Sequence, residues 1–130
     1  MSLKITRLDQ QKVTEGVPAE YLGVTLYIAR QNNIKYLTAL KTLTEKRGRK
    51  PLNKLPVDVR NQIIIAAMAE HVLVGWEADE FIVDGKPVPY TVENSIELLT
   101  NDAECLNFVA GFAMETKHYI EEQEKITGEG

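Results

Sequence analysis

The chain has 130 residues, 44% hydrophobic and 26% charged, the make-up of one ordinary globular domain rather than a disordered or fibrous chain. Such a domain buries roughly two-thirds of its unfolded surface, so it needs no staple, and the single cysteine, Cys105, excludes an internal disulfide and a multi-cysteine zinc site. The net charge of −4 argues against general binding to a phosphate backbone, and Met1–Arg7 lacks the apolar run of a secretory signal, so a cytosolic protein is expected.

Residues 1–16 hold few apolar groups and end in Thr14-Glu15-Gly16, so a flexible N-terminal arm is expected there. Val24, Leu26 and Ile28 then alternate with Thr25 and Tyr27, the period of a half-buried strand. Gly23 can supply a turn back to the stretch from Val17, which predicts a short β-hairpin. A helix beginning at Ala19 is the competing reading. Asn32-Asn33 reads as a helix cap. Behind it, Ile34, Leu37, Leu40 and Leu43 recur every three residues as an apolar stripe, and Gly48 follows as a terminator.

Pro56 and Asp58 open the next predicted helix, which runs to Gly75 and is apolar on nearly every face from Ile63 to Val74. A helix of that kind is central to a core or covered by a second subunit. Asp84-Gly85 is a tight-turn signal, and Pro87 and Pro89 restrict pairing around it to a loop or a very short hairpin. Thr91 caps a short helix, and Asn101 with Glu104 reads as the cap of a last one. On that last helix Cys105, Phe108, Val109, Phe112, Tyr119 and Ile120 fall at helical spacing. The expected fold is mainly α (α+β): a single compact helical domain over residues 17–125 with a short N-terminal β-hairpin, and a frayed tail over 126–130.

A search for chemistry finds little. Glu115 and His118 have the Glu-x-x-His spacing of a di-iron helix, but such sites need two copies and further carboxylates. A surface helical pair accounts for them. His71 and Cys105 fit hydrogen-bonded and packed positions, and Glu77, Asp79, Glu80 and Asp84 fit a solvated loop that lacks a calcium-loop pattern. The glycines are too scattered to cradle a phosphate. No catalytic residue, metal or cofactor is expected.

The segment Gly75–Leu99 strings together a Gly-Trp pair after an apolar helix, an acidic loop, Asp84-Gly85, Pro89-Tyr90-Thr91, Glu93-Asn94 and Leu98-Leu99. Upstream stand Tyr27-Ile28-Ala29-Arg30, Asn33 and Tyr36. In this order the elements resemble tail assembly chaperones of long-tailed, lambda-like bacteriophages, over roughly residues 17–122. Many members place proline after the asparagine; here Ile34 stands there.

The resemblance implies a non-catalytic protein of the host cytoplasm, absent from the mature virion. Its partners would be the tape measure protein, the tail tube protein, a longer frameshifted form of itself, and further copies in a homo-oligomer; the sequence itself holds no apolar stretch that would span a membrane, and its acidic charge disfavours nucleic acid. Apolar contact suits that work. Trp76, Phe81 and Tyr90 are candidate protein-binding residues, Trp76 as an interface anchor with a polar handle or as a core plug. Val24, Leu26 and Ile28 are candidates through a free strand edge, with the apolar third helix as another route to self-association. The alternative function is a small phage regulatory or host-interaction protein that binds nucleic acid weakly through the basic run Lys46–Lys50.

Overall fold

The computed structural model describes residues 7–121. Val17–Tyr21 (β1) and Val24–Ile28 (β2) form the expected antiparallel hairpin, with Ala19 opposite Leu26. Its two turn residues, Leu22 and Gly23, have φ of 50° and 84°. Positive φ at both central positions is the turn whose twist matches that of paired strands.

The hairpin gains a third strand. Leu73–Trp76 (β3) pairs antiparallel with β2, giving the order β1-β2-β3. Tyr27 and Ile28 face Gly75 and Leu73, so Val74 is an extra residue that kinks β3 as a bulge. This corrects the expectation of one helix from Pro56 to Gly75. The helix, Val57–His71 (α3), stops four residues earlier. β-branched Val74 favours extended backbone, and pairing with β2 decides between the two states.

The first long helix, Ile34–Glu45 (α2), is capped by Asn33, whose Oδ1 accepts from the Tyr36 amide at 3.0 Å. Its buried residue is Tyr36, while Ile34 and Leu37 are exposed at 69% and 44%. The predicted stripe fails for a geometric reason. At about 100° per residue, each three-residue step falls 60° short of a full turn, so Ile34 and Leu43 lie on opposite sides. α3 packs against both α2 and Val92–Asn101 (α4), and α4 packs against Ala103–Ala113 (α5), which reaches back over β2. The apolar α3 is therefore the middle of a helical layer, packed between α2 and α4.

Ile82–Val83 (β4) and Lys86–Pro87 (β5) make a two-residue hairpin around Asp84 and Gly85, both at positive φ. Thr91 caps α4 as expected, accepting from the Asn94 amide. The α5 cap is Asp102 rather than Asn101; its Oδ1 accepts from the Cys105 amide at 3.0 Å. α5 also ends before the predicted helical spacing does. The Ala113 carbonyl accepts from the Gln31 amide, and Thr116–Tyr119 form a separate 3-10 turn. That turn drives Tyr119 into the core, where its hydroxyl donates to the Ile28 carbonyl at 3.0 Å.

Residues 8–16, expected within a flexible arm, instead carry a helix, Gln10–Glu15 (α1). Asp9 caps it, Val13 is buried, the Arg30 amide donates to the Val13 carbonyl, and Leu8 bridges Ile120. The predicted tail, 126–130, lies outside the described residues.

Candidate protein-interaction surface

The six residues singled out for partner binding occupy two environments. Leu26 and Ile28 face the core and are essentially inaccessible, while Val24 is half-buried against them. Moreover β2 is the central strand, so both of its backbone edges are already hydrogen-bonded within the sheet. Self-pairing through Val24–Ala29 is closed; β1 is the edge at that end, and Pro18 withholds one amide from it.

Trp76, Phe81 and Tyr90 come together as an aromatic cluster. The Trp76 ring lies 4.9 Å from Phe81 and 5.0 Å edge-on from Tyr90, centroid to centroid. Trp76 is 6% exposed, and its indole N–H donates to the Val88 carbonyl at 2.8 Å. The Tyr90 hydroxyl lies 2.6 and 2.7 Å from the Ala69 and Leu73 carbonyls. Ala69 is one of the residues whose carbonyl is left over at the end of α3, so Tyr90 serves as a C-terminal cap from a distant segment. The polar handles of Trp76 and Tyr90 are thus spent inside the protein. The cluster closes the core where the acidic loop returns, and the loop is tied to the sheet. Glu80 accepts from the Thr25 amide at 2.7 Å, and that bond holds its carboxyl below the usual range. The Tyr27 hydroxyl donates to Glu77, which raises the tyrosine above its ordinary value.

Asn33 does more than the sequence revealed. It is buried, and its Nδ2 donates to the carbonyls of Arg30 and His71 at 2.7 and 2.9 Å. One side chain therefore starts α2 and caps the end of α3. Only the capping half had a signature in the sequence.

The remaining reactive groups are quiet. Cys105 is buried, and burial followed by the nearby Asp102 pushes its thiol up to about 11, which disfavours the nucleophilic thiolate. His118 stacks on Phe112 with ring centroids 3.7 Å apart and pairs with Glu115 at 2.8 Å. That pairing holds Glu115 below the usual carboxylate range. Among the described residues no group of three or more His, Cys, Asp or Glu side chains converges on a metal position, and no helix is long and apolar enough to cross a membrane.

What the surface offers lies on the helical layer. α2, α3 and α4 enclose an open groove of about 480 Å³, walled by Ile34, Ala39, Leu43, Ala66, Val92 and Ile96. Lys35 stands on its α2 side, and Glu70 and His71 on its α3 side. A second groove of about 740 Å³ lies between the β4–β5 hairpin and the α4–α5 junction. Residues 30–129 match the family described as YdaY prophage protein, from just after β2 onward. No curated protein and no solved structure matches the chain.

Proposed function

The chain belongs to the YdaY prophage protein family and is phage-derived; from that premise we propose that it is a non-catalytic tail assembly chaperone. In this reading it works in the host cytoplasm, holds the tape measure protein through the α2–α3–α4 groove, and passes it to polymerising tail tube subunits. The observation that carries the reading is that groove. It is open, more than half of its lining side chains are apolar, and Ile34 on its wall is largely exposed. A long helical, apolar client needs repeated shallow apolar contacts, which an amphipathic helix laid in such a groove supplies. Lys35 and Glu70, on different helices at the groove, offer charged ends to fix orientation without demanding one sequence.

Co-expression with the tape measure protein tests this. The wild-type chain is expected to co-purify with it and to keep it soluble. Ile34→Asp combined with Thr38→Glu, two exposed groove positions, is expected to fold normally and release the client. Failure of the wild type to capture the tape measure protein overturns the reading. Undiminished capture by the variant overturns the assignment of the groove. A salt-dependent shift of DNA by the wild type, without capture, replaces the chaperone with a regulator acting through Lys46–Lys50.

A further inference from the structure

The loop after α2 and the groove beside α4 carry opposite charge. Lys46, Arg47, Arg49 and Lys50 are all exposed, and the hollow beside Arg49 and Lys50, also lined by Lys41 and by one carboxylate, Glu45, is bordered by the apolar surfaces of Leu40, Pro51 and Leu52. The groove between the β4–β5 hairpin and the α4–α5 junction has the converse make-up. Its apolar floor is Phe81, Val83 and Leu98, its rim carries Glu97, Asp102 and Glu104, and no Lys or Arg lines it. Among the described residues neither set is neutralised internally: the ion pairs there join Glu70 to His71, and Glu115 to Lys117 and His118. Nor do the two surfaces share residues. One belongs to α2 and its following loop and the other to the α4–α5 end of the layer, with α3 packed between α2 and α4.

We propose that the chain self-associates head to tail, the basic loop Lys46–Leu52 of one copy seating in the acidic groove at Glu97, Asp102 and Glu104 of the next. Two different surfaces meet in this contact, so it is heterologous, and a joined pair keeps one free end of each kind. Repetition gives an open array or a ring rather than a closed two-fold dimer. The attraction is between solvent-exposed charges, which at physiological ionic strength are screened beyond about 8 Å. Salt therefore weakens the association, and the apolar floor and the Pro51–Leu52 surface supply the contact that remains. The proposal is independent of the client assigned to the α2–α3–α4 groove, whose walls belong to other side chains.

The test uses the full chain in sedimentation velocity and light scattering across a concentration series at low and high salt. The wild type is expected to grow in mass with concentration, less so at high salt. Arg49→Glu with Lys50→Glu, and separately Glu97→Lys with Glu104→Lys, are each expected to weaken association by roughly tenfold or more, since exposed attractions become repulsions. Asp102 is left in place because it caps α5. A mixture of the two reversed proteins is expected to regain association, because the acidic loop of one fits the basic groove of the other while the second pairing is the native one. Both reversals in one chain restore it as well.

Circular dichroism reports whether each variant folds. Should a reversal unfold the chain, Arg49→Gln with Lys50→Gln and the salt dependence of the wild type take its place. A wild type that stays monomeric at every concentration overturns the proposal, including where its groove captures a basic peptide or its loop captures DNA. So does association indifferent to both reversals, or a mixture that fails to recover.

Discussion

The aromatic corner and the outer face of α2 exchanged the roles their sequences advertise. Trp76, Phe81 and Tyr90 have the composition of an interface anchor, yet Trp76 is buried and the polar atoms of Trp76 and Tyr90 are bonded to backbone carbonyls. Ile34 and Leu37 have the spacing of a core stripe, yet both are exposed. The difference lies in what surrounds each segment. At the corner, β3 and the returning loop bring carbonyls within reach of every N–H and O–H, so burial carries no unpaired polar group and is not penalised. On α2, Asn33 ties the first turn to the His71 carbonyl at the end of α3 and Tyr36 points into the core, which leaves Ile34 outward.

Substitutions probe the exchange by their opposite effects. Trp76→Ala removes a buried ring from a filled site and is expected to cost about 3–5 kcal/mol, read as a fall in the urea midpoint. A loss below about 1 kcal/mol, the range of ordinary substitutions, together with failure to capture a partner, would return Trp76 to the interface. Tyr90→Phe keeps the ring but leaves the Ala69 carbonyl without its hydroxyl donor, and about 1–2 kcal/mol is expected by the same measurement.

The tie between loop and sheet is smaller and depends on pH. The folded Glu80 carboxyl titrates below its unfolded value. Its contribution is therefore present above the unfolded pKa and lost as pH falls through the folded one, beneath the ordinary carboxylate range. Hydrogen exchange at the Thr25 amide is expected to lose protection in that acid window, and Glu80→Gln to abolish the pH dependence. Ile34→Asp is expected to change stability least, within about 0.5 kcal/mol, because the side chain contributes little to the core. A large destabilisation there would mean that the outer face of α2 is structural after all.

Much of the architecture was legible because its causes are local. Alternation at Val24–Ile28 with Gly23 before it, Asn33 and Thr91 as caps, and Asp84-Gly85 as a turn each act within a few residues, and each stands where the sequence puts it. The misreadings share a different cause. Residues 73–76 are compatible with helix or strand, and pairing to β2, more than forty positions away, selects strand. Tyr119 sits at helical spacing, but the Gln31 amide takes the Ala113 carbonyl and ends the helix first. Residues 8–16 carry little apolar character, and they are ordered by bonds to Arg30 and Tyr119 rather than by a core of their own.

The same division runs through the candidate site. The absence of a two-motif carboxylate–histidine pattern or a phosphate loop could be read directly, because such chemistry requires fixed residue types at fixed spacings. Which apolar side chains remain at the surface could not, because exposure depends on which neighbours arrive to cover them. The sequence by itself determined one α+β domain with a hairpin ahead of the helices, since periodicity and capping are properties of short segments. Only the tertiary structure decided that β2 is enclosed between two strands, that Trp76 is core, and that one open groove lies between helices and another beside the β4–β5 hairpin. Those outcomes rest on hydrogen bonds and packing between residues far apart in the chain, where no local pattern records them.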